Sequence, residues 1–117
     1  MRDKTLEMTM LLDFYGELLT EKQRECFDSY YNEDMSLAEL AEVSGVSRQG
    51  VRDLLVRTEN TLRDFEQKIG LVERHLRRQE QLQGMKDTLV RLEELSSGEA
   101  KDLAADLRVR LAELENG

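Results

Sequence analysis

Apolar side chains recur at three- and four-residue steps along most of the chain, which is the period of an amphipathic α-helix. The first such stretch, about residues 3–19, places six of them on one helical face: Met8, Leu11, Leu12, Tyr15, Leu18 and Leu19. No stretch shows the strict alternation of apolar and polar residues that is typical of a half-buried strand. The pattern predicts an all-α protein.

The apolar face of this first helix is wide, because Leu6, Met10 and Phe14 extend it. A helix that is apolar around so much of its surface is buried on more than one side. The second side is covered either by the core or by a partner subunit, and the sequence leaves both options open.

Residues 67–117 continue the helical pattern as a long extension. Its leucine seam shifts phase near Gly84, which predicts a kink, a stutter or a turn at that point. The seams fold back as a hairpin or pair between subunits, and the sequence does not decide between these arrangements. Together with the wide face of the first helix, they predict a homodimer, with this extension as a candidate dimerisation domain.

Two helix starts in the middle of the chain carry clear capping signals. Ser36 precedes a glutamate by three positions, which is the sequence of a capping box. Ser47 supplies the next N-cap, and Gly45 is the residue type that ends a helix. These signals predict helices at about 37–44 and 48–63 within a domain formed by residues 1–66.

The two helices and their connection match a helix-turn-helix. This motif needs a small residue where the helices cross, a glycine in the turn, and apolar residues on the inner face of the second helix. Ala41 and Gly45 fill the first two positions, and Val51 and Leu54 fill the third. All four occur at the required spacing between two capping sites, so the sequence predicts a helix-turn-helix fold.

The exposed start of the second helix then supplies candidate DNA contacts, since such positions reach base edges in the major groove. Arginine pairs with guanine and glutamine with adenine, while hydroxyl groups and more distant arginines contact phosphates. The candidates are Ser47, Arg48, Gln49, Arg52, Asp53 and Arg57. The alternative is that the motif is only a scaffold, with Arg48 and Arg52 paired to nearby acidic side chains.

Charge restricts where nucleic acid can bind. The 117 residues carry a net charge of −8, whereas residues 47–63 contain four arginines and two acidic residues, which gives +2. An acidic protein with one positive segment contacts nucleic acid through that segment alone. Aspartate at position 53 and the acidic flanks oppose phosphate binding.

Composition excludes several other classes of protein. One cysteine and one histidine exclude a disulfide framework and the usual metal sites, so no metal or cofactor is expected. The chain has no phosphate-binding glycine loop and no Ser-His-Asp set, so we expect no enzyme. No apolar run is long enough to span a bilayer, and the first residues do not form a secretory signal. These features predict a cytoplasmic protein without membrane contact.

Residues 19–63 resemble region 4 of bacterial sigma factors. The segments LLDFYGELLTEKQRE and SRQGVRD are more specifically similar to the YlxM family of small bacterial proteins, and this resemblance covers about residues 4–95. It implies a sigma-region-4-like helix-turn-helix followed by a helical extension, often dimeric, with a regulatory role in the signal recognition particle pathway. In sigma factors the matching helix reads promoter DNA, a role that the resemblance transfers to Arg48, Gln49, Arg52 and Asp53.

The sequence therefore predicts a helix-turn-helix regulator of double-stranded DNA. The alternative is an adaptor that holds a protein of the signal recognition particle and does not bind DNA. Acidic residues of the first two helices, such as Glu21 and Glu25, then complement a basic partner. A weaker variant binds the particle's RNA through Arg74, Arg77 and Arg78.

Overall fold

The computed structural model describes residues 4–116, and within this range it contains six α-helices, one short 3₁₀-helix and no strand. The α-helices are α1 (Lys4–Tyr15), α2 (Glu21–Tyr31), α3 (Leu37–Ser44), α4 (Arg48–Ile69), α5 (Leu71–Leu95) and α6 (Gly98–Asn116). The prediction of an all-α helix-turn-helix protein with a helical extension is confirmed.

Side-chain caps fix the starts of α2, α3 and α4. At Ser36 the hydroxyl accepts the backbone N–H of Glu39 at 3.1 Å, and the Glu39 carboxylate accepts the N–H of Ser36 at 3.1 Å. Hydrogen bonds from the backbone and side chain of Ser36 lower the pKa of Glu39. Thr20 forms the same reciprocal pair with Gln23 at the start of α2. These hydrogen bonds join residues three positions apart, so the local sequence is enough to indicate where these helices begin.

Helix α1 is shorter than the predicted 3–19, because the α-helix ends at Tyr15 and continues as a 3₁₀ turn, Gly16–Leu18. Gly16 is buried, and a Cβ at this position would approach Leu12 Cδ1 at 3.3 Å. Glycine weakens the helix here and allows the chain to pack closely as it turns towards α2. Leu18 is consequently 61% exposed instead of continuing the core face.

The chain divides into two compact units between Val72 and Glu73. In the first unit, α1 to α4 pack around side chains that are almost completely buried: Met8, Leu11, Tyr15, Phe27, Val51, Thr58 and Leu62. The core therefore covers one side of the wide apolar face of α1. On its other side, Leu6 is 55% and Phe14 is 37% exposed.

Helix α4 continues to Ile69 and so extends beyond the predicted end near residue 63. It ends at Gly70, whose φ of 72° is left-handed and whose N–H donates to the carbonyl of Glu66 at 2.8 Å. Glycine adopts this conformation without steric cost, and residues 64–69 contain no comparable helix-ending residue. The additional turns place Glu66 opposite Tyr15.

A partly buried hydrogen-bond cluster lies at the junction between α4 and α5. The Tyr15 hydroxyl donates to Glu66 Oε1 at 2.6 Å and accepts the N–H of Leu71 at 3.0 Å. Glu66 Oε1 also accepts the N–H of Val72 at 3.0 Å. Two side chains from α1 and α4 therefore satisfy the first N–H groups of α5, which have no partner within their own helix.

The second unit contains α5 from Glu73 onwards and α6, which form an antiparallel hairpin. Arg108 Nε lies 2.6 Å from Glu93 Oε2, and Lys86 Nζ lies 2.7 Å from Glu115 Oε1. Of the predicted kink, stutter or turn near Gly84, the turn is wrong, because α5 runs through this residue and the hairpin turns at residues 96–97. That residues 1–66 and 67–117 are separate folding domains stays a prediction.

Two glycines inside helices have opposite surroundings and give a matched test of packing. A Cβ on Gly50 would lie 2.5 Å from Val46 Cγ1, whereas a Cβ on Gly84 would meet nothing within 4 Å. We expect Gly50→Ala to lower the free energy of unfolding by about 1–3 kcal/mol through overpacking. Gly84→Ala should raise it by up to about 1 kcal/mol, because alanine is the better helix former.

Urea denaturation of both variants measures these changes. An equal or higher stability of Gly50→Ala would contradict the close approach between Val46 and the start of α4.

Candidate nucleic-acid interface

The turn of the helix-turn-helix is built from α3, residues 45–47 and α4. Gly45 has a φ of 73°, and its N–H donates to the carbonyl of Ala41 at 3.0 Å. The structure leaves Ala41 half-buried near the crossing of the helices. Val51 is buried and Leu54 is half-buried on the inner side of α4. The four predicted structural positions therefore lie around one turn.

Six predicted contact residues lie on the exposed start of α4. Ser47 caps the helix, since its hydroxyl oxygen accepts the N–H of Gly50 at 3.0 Å. Its O–H remains able to donate to a phosphate oxygen. The side chains that follow are all exposed to solvent: Arg48, Gln49, Arg52, Asp53 and Arg57. The structure brings the first five residues together at the start of one helix, whereas Arg57 lies one turn beyond Asp53 and lines a groove between α2, α3 and α4.

Arg48, Arg52 and Arg57 differ in their ion pairing from Arg63, the next arginine on α4. Arg63 Nη1 lies 2.6 Å from Glu7 Oε1, and Arg63 Nε lies 3.2 Å from Glu59 Oε2. The pair with Glu7 joins α4 to α1. In contrast, Arg48, Arg52 and Arg57 form no ion pair with any residue in the described range 4–116. The scaffold hypothesis expects Arg48 and Arg52 to be paired to nearby acids, and no such pair forms among residues 4–116.

Asp53 is oriented by a neighbour on its own helix. Gln49 Nε2 donates to Asp53 Oδ1 at 2.9 Å, across one helical turn. Recognition of adenine by Gln49 uses both its amide oxygen and its amide nitrogen, so this bond must be released first. Free Asp53 oxygens can accept from the amino group of cytosine, but they repel phosphate. The Gln49–Asp53 pair is therefore the polar centre of a surface whose edges are basic.

Two residues of the same face were missed by the sequence reasoning. Val56 is 51% exposed and Asn60 is also exposed, one and two turns beyond Asp53. Val56 and Asn60 follow Gln49 by seven and eleven residues, so all three lie on one helical face. This spacing was the sequence signal that could have identified both as part of the exposed face. We define the recognition face as Arg48, Gln49, Arg52, Asp53 and Val56.

An open groove of about 770 Å³ lies between α2, α3 and α4, on the other side of α4 from the recognition face. Its apolar lining includes Leu40, Val51 and Leu54, and Val43 stands at its edge. Val43 is 78% exposed, the highest fraction among large hydrophobic side chains in the described part of the chain. Cys26 also lines the groove, and burial raises the pKa of its thiol. No local sequence pattern predicts this groove, because it depends on how three helices pack.

The basic cluster on α5 is also exposed. Arg74, Arg77 and Arg78 all face solvent, and Arg77 forms an ion pair with Glu73 at 2.8 Å. This cluster lies in the second compact unit, apart from the helix-turn-helix residues in sequence.

The described residues contain neither a metal-binding group nor a membrane-spanning helix. Within residues 4–116, no three His, Cys, Asp or Glu side chains are grouped so that they could hold a metal ion. None of the helices in that range combines the length and apolarity that a membrane crossing requires.

The helices, the glycine turn and the capped second helix define a helix-turn-helix protein. A model of the UPF0122 family, described as "Putative helix-turn-helix protein, YlxM / p13 like", matches residues 2–102. The chain belongs to this family, and the resemblance to the YlxM family is confirmed.

Curated relatives carry the same family name. A UPF0122 protein of Caldanaerobacter subterraneus subsp. tengcongensis is 47% identical over 89 residues, which cover 76% of each chain. One from Thermoanaerobacter sp. (strain X514) is 57% identical over 75 residues, 64% of each chain and thus slightly under two thirds of that relative. One from Halalkalibacterium halodurans is 48% identical over 89 residues, 76% of this chain and 82% of the relative.

Proposed function

We propose that this protein is a regulator that binds double-stranded DNA through the recognition face of α4. The observation that carries the proposal is the exposed pair of Arg48 and Arg52, neither of which forms an ion pair with a described residue. Unpaired arginines at the start of a capped helix that follows a glycine turn are suited to the major groove. Family membership supports the motif but names no ligand.

The polar side chains of the recognition face, together with Ser47 and Arg57 beside it, have distinct roles in this proposal. Arg48 and Arg52 bind guanine edges or phosphates, and Arg57 and the Ser47 hydroxyl bind the phosphate backbone. Gln49 and Asp53 contribute sequence preference once their mutual hydrogen bond is released. Such a regulator acts in the cytoplasm and carries no catalytic activity.

A net charge of −8 opposes non-specific attraction to DNA, so a salt-dependent affinity for duplex DNA is a clear test of the proposal. Fluorescence anisotropy of labelled duplex fragments from genomic DNA, measured over a salt series, should give affinity that falls steeply as salt rises. Three arginine–phosphate contacts correspond to a slope of about −3 in log affinity against log salt concentration. Absence of binding at low salt, or a slope near zero, would contradict the proposal.

Asp53 should weaken binding to every duplex, because its carboxylate lies among groups that approach phosphate. We expect Asp53→Asn to raise affinity for unrelated duplexes by about threefold to tenfold, since it removes one repulsive charge. The asparagine oxygen still accepts from Gln49, so the shape of the face is retained.

Asp64→Asn is the matched control, because Asp64 lies on the same helix beyond the face and pairs with Lys68 at 3.0 Å. The same anisotropy assay compares the two variants. Equal affinity gains would assign the effect to net charge alone and contradict the placement of Asp53.

The groove favours a second candidate function, an adaptor that uses the same fold to hold a protein. Its apolar lining, the exposed Val43, and the acidic Glu21 and Glu25 on α2 suit an amphipathic segment with basic flanks. The family resemblance suggests the targeting GTPases of the signal recognition particle as the partner. In the RNA variant of this proposal, the particle's RNA binds Arg74, Arg77 and Arg78 instead.

Pull-down of the purified GTPase at low salt tests the adaptor. Val43→Asp should abolish retention, whereas Val109→Asp, an exposed position on α6, should leave it unchanged. No retention by the unaltered protein would contradict the adaptor. The RNA variant requires a preference for RNA over duplex DNA that is lost when Arg77 and Arg78 are both replaced by glutamate.

A further inference from the structure

Val56 is an apolar side chain on a recognition face whose other members are polar. It is 51% exposed, and within the described residues of α4 the other exposed large hydrophobic side chain is Ile69, at the end of the helix. The core positions of α4 are different residues: Val51, Leu55, Thr58 and Leu62. Val56 is therefore outside the core of the first unit.

Helix stability does not account for a valine at this position. A β-branched side chain loses rotamer freedom in a helix, so valine is a weaker helix former than alanine or leucine. An exposed valine also keeps apolar surface in contact with water. Both effects disfavour Val56 in the free protein, which directs attention to a contact outside the folded chain.

The helical period places Val56 on the midline of the recognition face. At about 100° per residue, the five residues of the face point over a range of about 140°, from Arg48 at one edge to Asp53 at the other. Val56 points about 80° from Arg48, which is within about 10° of the middle of this range. When such a face enters the major groove, its midline is directed at the base edges and its two sides towards the phosphates.

The base edges of the major groove include one apolar group that suits a short aliphatic side chain. Thymine presents its C5 methyl group there, in addition to an acceptor, whereas guanine and adenine present hydrogen-bonding groups. Valine neither donates nor accepts a hydrogen bond, so it gains most from the methyl group. An α-helix with its side chains is about 10–12 Å wide and the groove is about 12 Å wide, which allows the close approach that valine needs.

We propose that Val56 packs against the C5 methyl group of a thymine and so makes the recognition face selective for thymine. This inference rests on the proposed function and gives the apolar member of the face a role that its polar members do not fill. Val56 lies about 6 Å beyond Arg52 along the helix axis, and base pairs are about 3.4 Å apart. When α4 follows the groove, the thymine lies within about two base pairs of the pair that Arg52 contacts.

Deoxyuridine tests the contact from the DNA side, because uracil lacks only the C5 methyl group of thymine. The duplex fragment that binds best in the anisotropy assay is synthesised with each thymine replaced in turn. The unaltered full chain should lose affinity by about threefold to fivefold at one thymine of the bound site, the effect expected for one methyl-sized group. Replacement of thymines outside the site should leave the affinity unchanged.

Val56→Ala tests the same contact from the protein side. The variant should bind the thymine duplex about threefold to fivefold more weakly than the unaltered protein and should not distinguish it from the uracil duplex. Val109→Ala is the matched control, since Val109 is 50% exposed on α6 and should retain the full difference between the two duplexes. Thermal unfolding should show that Val56→Ala is at least as stable as the unaltered protein, because alanine is the better helix former.

Three results would overturn the role of Val56 while leaving the proposed function in place. They are equal binding of the thymine and uracil duplexes by the unaltered protein at every position, an undiminished preference for thymine in Val56→Ala, and a bound site without thymine. In each case the salt-dependent binding of duplex DNA persists. Absence of binding to any duplex at low salt would instead contradict the proposed function, and this inference with it.

Discussion

Replacing Arg48 and Arg52 together by alanine is expected to lower the affinity for duplex DNA by about 100-fold or more. Each arginine that contacts a base edge or a phosphate contributes about 1–3 kcal/mol to binding. Neither side chain forms an ion pair in the described residues, so their removal leaves no acidic group unpaired and should cost little stability. Anisotropy titrations at one fixed salt concentration measure the effect.

The matched control removes the same two charges from another surface. Arg74 and Arg78 are exposed on α5 and form no ion pair within residues 4–116. Their joint replacement by alanine should change DNA affinity by only a fewfold, through long-range electrostatics. If the two double variants lose affinity equally, DNA is attracted by charge in general and α4 does not recognise it.

The second large effect concerns stability, because Glu66→Ala should lower the free energy of unfolding by about 2–4 kcal/mol. Its carboxylate accepts hydrogen bonds from the Tyr15 hydroxyl and from the N–H of Val72. Tyr15 is 1% and Val72 is 6% exposed, so water does not readily replace the lost acceptor. Removing the acceptor of a hydrogen bond from a largely buried group costs about 1–3 kcal/mol, and here two bonds are lost.

Gln67→Ala is the control for this change, since residue 67 is the next position on α4 and is exposed. Substitutions at such positions usually change stability by less than about 0.5 kcal/mol. Urea unfolding followed by circular dichroism compares the two variants. If Glu66→Ala is as stable as Gln67→Ala, the cluster at the α4–α5 junction is not a stabilising contact.

Much of the helix-turn-helix could be predicted from sequence because its signals are local. The capping box at Ser36 and the glycine at position 45 act within four residues, so the sequence alone sets the bounds of α3. The exposure of Arg48 and Arg52 follows from helical periodicity once Ser47 starts α4. Whether those arginines are paired depends on distant acids, and only the packed structure decides it.

The errors arise where tertiary packing or neighbouring propensity overrides a local signal. A turn at Gly84 is one of the three predicted options, but strong helix formers surround this residue and the helix continues. The predicted first helix includes Gly16, but α1 ends at Tyr15, and Gly16 packs closely against Leu12. The groove combines residues from three helices, and no single periodic pattern describes it.

An acidic protein that binds DNA must concentrate its positive potential. The ion pairs of Arg63 with Glu7 and Glu59 neutralise the later part of α4 and connect it to α1. Among the arginines of α4, those without an ion pair to a described residue are therefore in its first three turns. In the proposed function, this limits the arginine contacts that α4 makes with phosphate to its start.

The most direct test of the central claim is an NMR titration of the ¹⁵N-labelled full chain with a duplex fragment chosen by anisotropy. Amide and arginine side-chain signals are followed at each addition of DNA. We expect the largest chemical-shift changes at residues 47–57, with the Nε–Hε signals of Arg48 and Arg52 among them. Shifts concentrated on α5 at Arg74 and Arg78, or around Val43 in the groove, would contradict it.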